Sequence, residues 1–273
     1  YFKAISHVDP LDILCHRVVW SVPLTALLIS AARGWRSVGM ALTRRVFITL
    51  VGTAFLAASN WFVFIYAISN NQVLQTSLGY FLNPLINVVL GMIFLRERLR
   101  PWQGVAVGLA AIGTLNLAWK FGGFPWISLF LALSFGFYGL LRKTVKIESL
   151  NGLFVETTLL CPLAIGYLVY LGFTGAGAFG TVDWQTTFLL LLAGMVTALP
   201  LVWFTSGARR LPYTTVGVVQ YVAPSLQFIL AVFAFNEPFT TTHLVTFICI
   251  WTGLAVFMAD SFAHQRQALK LRS

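Results

Sequence analysis

The stretch GYFLNPLINVVLGMIFLRERL, residues 79–99, is apolar enough to cross a bilayer. Yet it carries Pro84 at its middle, with Asn83 and Asn87 on either side, and it closes on Arg96, Glu97 and Arg98. A proline inside a helix removes a backbone hydrogen bond and clashes with the preceding turn, at about 3 kcal/mol in a soluble helix. Within a membrane such breaks persist where neighbouring helices or water satisfy the freed carbonyls, so this span is expected to face protein or a cavity rather than lipid.

The stretch has a counterpart. Residues 219–239 read VQYVAPSLQFILAVFAFNEPF, and laying them on 79–99 sets Pro224 on Pro84, Tyr221 on Phe81, Gln227 on Asn87, Leu230 on Leu90 and Glu237 on Glu97. The same register, a constant offset of 140 positions, sets Ala198 on Ala58, Phe204 on Phe64 and Gly253 on Gly113. One ungapped register over so long a stretch reads as internal duplication.

Composition sets the class. Of 273 residues, 58% are hydrophobic and 10% charged, and the mean hydropathy is +0.83. A soluble domain carries about 25% charge. Long apolar runs without strand alternation exclude a transmembrane barrel and indicate an all-α, polytopic membrane helix bundle. Nine spans of about the length a bilayer requires are expected at 11–32, 46–68, 73–95, 104–119, 125–141, 151–172, 185–208, 213–235 and 244–262, with a basic loop at 33–45 and a Gly-rich loop at 173–183. Cys15, Cys161 and Cys249 lie in apolar runs and read as packing residues.

The net charge of +10 reports topology. Placing Arg33, Arg36, Arg44 and Arg45 in the cytoplasm puts fifteen of the eighteen Lys and Arg residues on that side, leaving Lys3 and Lys120 opposite and Arg17 within a span. That asymmetry follows the positive-inside rule and excludes a nucleic-acid partner. On the same assignment, spans 73–95 and 213–235 run in opposite directions, so the duplication is expected to be inverted. An inverted repeat needs an odd number of spans per half. The expected organisation is a first repeat over 1–123, with four visible spans, and a second over 124–273, with five, together one integral membrane domain. Tyr1, Phe2 and Lys3 then read as the tail of a missing first helix in a 5+5 arrangement.

The sequences CHRVVWS at 15–21, NWFVFIYAI at 60–68 and QTSLGYFLNPLINVVLG at 75–91, the last followed by RER, resemble the RarD-type permeases, the chloramphenicol-sensitivity proteins. These belong to the EamA group of the drug/metabolite transporter superfamily. The resemblance implies a multi-pass permease of the bacterial inner membrane that works by alternating access, with the lipid bilayer and a small-molecule substrate as partners.

Candidate site residues follow from spacing and depth. Tyr80, Asn83 and Asn87 share one helical stripe, and the second half supplies Gln220, Tyr221 and Gln227 near the equivalent positions. Side-chain amides have no reason to face lipid: they either bond helices together or line a path, with Pro84 and Pro224 breaking the helices beside them. Asn60, Trp61 and Trp203 lie centrally in their spans and suit a wall for flat or amphipathic molecules. Tyr138 reads as an interface anchor. Arg17 and Glu156 are charges within spans, functional by default unless they snorkel to the nearer interface. Arg17 is expected to attract an anionic or polar group, and Glu156 to carry a coupling proton. Gly104 and Gly108 read as close helix packing. His7, Asp9 and Asp12 form an outer loop too weak to read as a metal site. No metal, cofactor or catalytic residue is expected. A lipid-modifying enzyme would need clustered acids and bases, which His16, Arg17 and Glu156 do not form, and a scaffold would not require amide-lined helices. The expected activity is transport of a small metabolite or amphipathic drug, outward.

Overall fold

The computed structural model describes residues 1–70, 72–119, 124–226 and 241–270, and these are helical with no strand among them. After a short 3-10 turn at Phe2–Ile5 come α1 (Pro10–Ala31), α2 (Trp35–Ala41), α3 (Arg44–Ser69), α4 (Val73–Phe94) and α5 (Pro101–Trp119). Then follow α6 (Trp126–Thr144), α7 (Ser149–Thr174), α8 (Trp184–Arg210), α9 (Tyr213–Gln220) and α10 (Thr241–Lys270). Six of them, α1, α3, α4, α7, α8 and α10, are long and apolar enough to cross a membrane.

Local chemistry sets the helix ends. Asp9 caps α1 by accepting from the Leu11 and Asp12 amides (2.8 and 3.3 Å), and Pro10, which has no amide to satisfy, takes the first helical position. α7 stops where Gly175 turns left-handed at φ +69°. Asp183 caps α8, and the hydrogen bond from the Thr186 amide (2.6 Å) holds its carboxyl below the usual carboxylate range. Inside the spans, hydroxyls return to their own helix, as Thr25 to the Ser21 carbonyl (2.7 Å) and Thr205 to that of Leu201 (2.8 Å). This hides a polar group from hydrocarbon without a partner helix.

The chain forms two compact units, residues 1–65 with 141–210 and residues 66–140 with 211–273. Each unit draws helices from both sequence halves. In the first, α1 packs against both α7 and α8. Gly194 of α8 lets α1 and α8 approach closely: a Cβ there would overlap the Trp20 backbone and lie 2.7 Å from the Ser21 amide nitrogen. The basic stretch 33–45, expected as a loop, contains α2, because Val38 is apolar and buries with Ile29, Val46, Leu50, Val145, Ile147 and Val155.

In the second unit, α5 packs on α10 and α4 on α9. A Cβ on Gly113 would lie 2.8 Å from the Thr246 carbonyl, and one on Gly253 would lie 2.6 Å from that of Ala106. Gly104 and Gly108, expected to pack closely, meet nothing within 4 Å; they lie on the face of α5 turned away from α10. Tyr138, expected at an interface, is 2% exposed, buried beside Phe135.

The two prolines behave differently. α4 runs unbroken through Pro84, so the expected break is absent there. Gly217 of α9 lets that stretch be covered at close range, a Cβ there lying 2.6 Å from the Pro84 carbonyl oxygen. α9 ends at Gln220, Tyr221 is a turn, and helix resumes over 222–226. Gln220 carries the carbonyl that residue 224 would bond in a continuous helix, and proline has no amide to donate. Gln227 and Glu237 lie outside the described residues.

Candidate functional site

In the second unit the predicted amides meet one another. Asn87 is fully buried. Its Nδ2 donates to Asn83 Oδ1 (2.8 Å) one turn earlier and to Gln220 Oε1 of α9. Its Oδ1 lies 2.9 Å from the Tyr213 hydroxyl, which also donates to the Gly136 carbonyl of α6 (2.7 Å). Tyr221 is 2% exposed and its hydroxyl meets Thr114 Oγ1 at 3.2 Å. These side chains join α4, α6 and α9 to one another and α9 to α5. Tyr80, the other member of the stripe, is 46% exposed.

Glu97 is a structural residue the sequence reading passed over. Its two carboxylate oxygens accept the Tyr213 and Thr214 amides (2.6 and 2.8 Å), capping α9 from a distant loop. An anion at a helix N-terminus answers both the unbonded amides and the helix dipole.

The first unit holds the charges. The half-buried Arg17 donates through Nε to Thr197 Oγ1 of α8 (2.9 Å), and its guanidinium carbon lies 5.4 Å from the Trp61 ring centroid. Asn60 is half-buried and adjacent to Trp61 in α3. Trp203 does not join them: it is 69% exposed.

Glu156 is 3% exposed and accepts from Thr53 Oγ1 of α3 (2.5 Å). Arg142 Nε faces the same carboxylate oxygen at 3.4 Å. Arg142, expected among the cytoplasmic loop cations, is instead fully buried and donates to the Ser149 carbonyl (2.8 Å). Gly152 makes the room, since a Cβ there would fall inside the guanidinium. Snorkelling is thereby excluded for Glu156. A signal was present in the sequence: Gly152 precedes Glu156 by one helical turn and leaves that position empty.

A second pair was also missed. Asp12 lies within α1, 1% exposed, and its Oδ1 faces His16 Nε2 at 3.4 Å. Asp12 Oδ2 accepts the Ala178 amide (2.9 Å), and the Trp20 indole donates to His16 Nδ1 (3.1 Å). The i, i+4 spacing and the Asp9–Pro10 helix start place Asp12 inside the span, not in the outer loop with His7. His7 itself meets Thr186 Oγ1 at 3.0 Å. Among the described residues no group of three metal-ligating side chains is present.

Among the described residues, six helices long and apolar enough to cross a membrane define a polytopic α-helical membrane protein. The model of the EamA-like transporter family matches residues 2–119. The chain is 47% identical over 273 residues to an uncharacterized transporter of Vibrio cholerae, covering 100% of this chain and 90% of that one. It is 42% identical over 271 residues to protein RarD of Escherichia coli (99% and 92% covered), and 34% identical over 266 residues to the chloramphenicol-sensitive protein RarD of Pseudomonas aeruginosa (96% and 88%). A crystal structure 20% identical in sequence aligns with TM-score 0.68 over 97% of this chain and 93% of that one, which speaks to the fold. The chain belongs to the RarD-type group of EamA-like transporters, multi-pass proteins of the bacterial inner membrane.

Proposed function

We propose that this transporter moves a small metabolite or amphipathic drug outward by alternating access, without a cofactor, and that Arg17, Trp61 and Asn60 contact the substrate. The observation that carries this reading is the Arg17 guanidinium, set over an aromatic ring inside a membrane helix. A mid-membrane arginine costs about 2.5–3.5 kcal/mol on insertion scales, and a cation–aromatic contact returns only about 0.5–2 kcal/mol. A retained cation beside a half-buried aromatic ring suits a molecule with a flat ring and an anionic or polar group. Asn83, Asn87, Gln220 and Tyr221 are proposed as helix-joining groups. Glu156, held by Arg142 and Thr53, is proposed as part of a charge lock rather than as a free proton carrier.

Alternating access rests on an inverted repeat, for which the reciprocal glycines offer support. The contact of Gly113 with Thr246 and that of Gly253 with Ala106 exchange under the 140-residue offset, as a pseudo-two-fold axis requires.

The test is thermal stabilisation of the purified full-length protein by aromatic acids, amino acids and chloramphenicol, followed by flux of any stabilising compound in vesicles of both orientations. At 100 times its dissociation constant a ligand adds about 2.7 kcal/mol, a visible shift. One chemical class is expected to stabilise the parent and not Arg17→Ala, and to leave vesicles in the outward sense. A compound that binds both proteins alike removes Arg17 from the site. A panel that stabilises nothing and shows no flux overturns the substrate class.

A further inference from the structure

We propose that Asp12 and His16 form a proton-binding site at the start of α1, and that Trp20 is released when the proton arrives. The coupling role of this site rests on the carrier reading above; the proton binding itself does not.

The geometry determines the protonation state. An indole N–H donates and cannot accept, so the 3.1 Å bond from Trp20 requires His16 Nδ1 to be bare. The imidazole is then neutral and its one hydrogen sits on Nε2, 3.4 Å from Asp12 Oδ1 but not hydrogen-bonded to it. Among the described residues neither of those two atoms has a hydrogen-bonding partner of its own at normal distance. Both side chains are more than nine-tenths buried. A carboxylate and an imidazole left so loosely joined in a membrane span form a site under-supplied with protons, and ionisable groups at such depth are functional by default.

The neighbours leave His16 as the acceptor. On α1, Arg17 is turned to Thr197 and Trp61, and Cys15 packs with Val18 and Ala164. From α7 the tyrosines Tyr167 and Tyr170 lie on this side. At the start of α8, Asp183 is engaged by Thr186. Phe179, from the loop before α8, stacks on the imidazole with centroids 5.0 Å apart and lies 6.1 Å from the Trp20 ring.

The step balances simply. A proton from water adds to the Nδ1 lone pair, and the Trp20 N–H···Nδ1 hydrogen bond breaks, because two donors now face each other. The imidazolium keeps its Nε2 hydrogen toward the Asp12 carboxylate, and a neutral imidazole beside an anion becomes an ion pair. Trp20 leads directly to Ser21, whose backbone abuts Gly194 and whose hydroxyl donates to the Arg17 carbonyl (2.6 Å). Protonation therefore acts on the seam between α1 and α8 and on the residue proposed to hold substrate.

The experiment uses full-length protein in lipid nanodiscs with 15N-labelled histidine and tryptophan, titrated without substrate from about pH 8 to about pH 5, the range in which histidine titrates. His16→Gln identifies the His16 signals among the four histidines. In the parent, Nδ1 protonation and a shift of the Trp20 indole signal are expected at one common midpoint. Trp20→Phe removes the competitor for Nδ1 and is expected to bind the proton about two- to tenfold more tightly, the value of one hydrogen bond. Asp12→Asn removes the opposite charge and is expected to bind it at least about tenfold more weakly. A parent whose Nδ1 stays bare to pH 5, an indole signal indifferent to His16, or a Trp20→Phe protein with unchanged proton affinity overturns the proposal. The Trp20→Phe comparison stands even if Asp12→Asn does not fold. Because no substrate is present, a failed substrate panel leaves this site standing, and an inert His16 leaves the carrier reading standing.

Discussion

A single methyl group at Gly152 tests the buried Arg142–Glu156 pair. The new Cβ would lie 2.6 Å from both Cζ and Nη2 of Arg142, and closer still to Nη1, so the guanidinium must leave. Its 3.4 Å approach to Glu156 and its 2.8 Å bond to the Ser149 carbonyl go with it. Separating the partners of a buried ion pair costs about 3–5 kcal/mol, against about 1 kcal/mol gained when alanine replaces glycine in a helix. Gly152→Ala is therefore expected to destabilise by about 2–4 kcal/mol. At about 2–4 °C per kcal/mol for a chain of this size, that is a melting drop of about 4–16 °C, followed by tryptophan fluorescence in nanodiscs. The decisive comparison is the Arg142→Met/Glu156→Gln background, where no guanidinium occupies the space. There the same alanine should be neutral or stabilising by up to about 1 kcal/mol. A Gly152→Ala protein that melts within a degree of the parent, or an equal loss in both backgrounds, refutes the reasoning.

Gly113→Ala and Gly253→Ala should each lower the melting temperature by an amount matching about 1–3 kcal/mol of overpacking, whereas Gly104→Ala and Gly108→Ala, which meet open space, should not. Tyr213→Phe should cost about 1–3 kcal/mol by leaving Asn87 Oδ1 and the Gly136 carbonyl without their donor, while any substrate-dependent stabilisation stays intact. Lost ligand binding in that variant would return the amides to the substrate path.

The long apolar helices were legible because a run of about 20 apolar residues is a local signal. Asp9–Pro10, Gly175 and Asp183 mark ends by side-chain and backbone chemistry that acts over three or four residues. The glycine equivalence was legible as a register, since Gly113 and Gly253 align at the same offset as Pro84 and Pro224. What the register could not reveal was which glycine faces a partner: Gly104 and Gly108 carry the familiar spacing, but their side of α5 meets nothing. Charge was misplaced for a related reason. Arg142 sits in the run RKTVK, and composition alone assigns such a run to water; only the gap at Gly152 admits its guanidinium to the interior. Asp12 was grouped with His7 and Asp9 by proximity in sequence, although Asp9 ends the loop and Asp12 begins the helix. Pro84 and Pro224 are alike in sequence and differ in outcome, since α4 continues past the first whereas α9 stops before the second.

The two buried pairs acquire a joint meaning under the repeat offset. Gly152 and Glu156 of α7 fall on Asp12 and His16 of α1, so an ionisable pair is buried near the start of each of these helices. In α1 both partners belong to one helix. In α7 the first position is emptied to glycine and the cation enters from Arg142 at the end of α6. By the positive-inside rule the starts of α1 and α7 are expected on opposite membrane faces. The two pairs also differ in kind, because imidazole exchanges its proton near neutral pH while guanidinium does not. A proton can therefore alter the pair in α1 and leave the pair in α7 unchanged. Under the alternating-access reading proposed above, this difference allows a pH gradient to act on the α1 pair and not on the α7 pair.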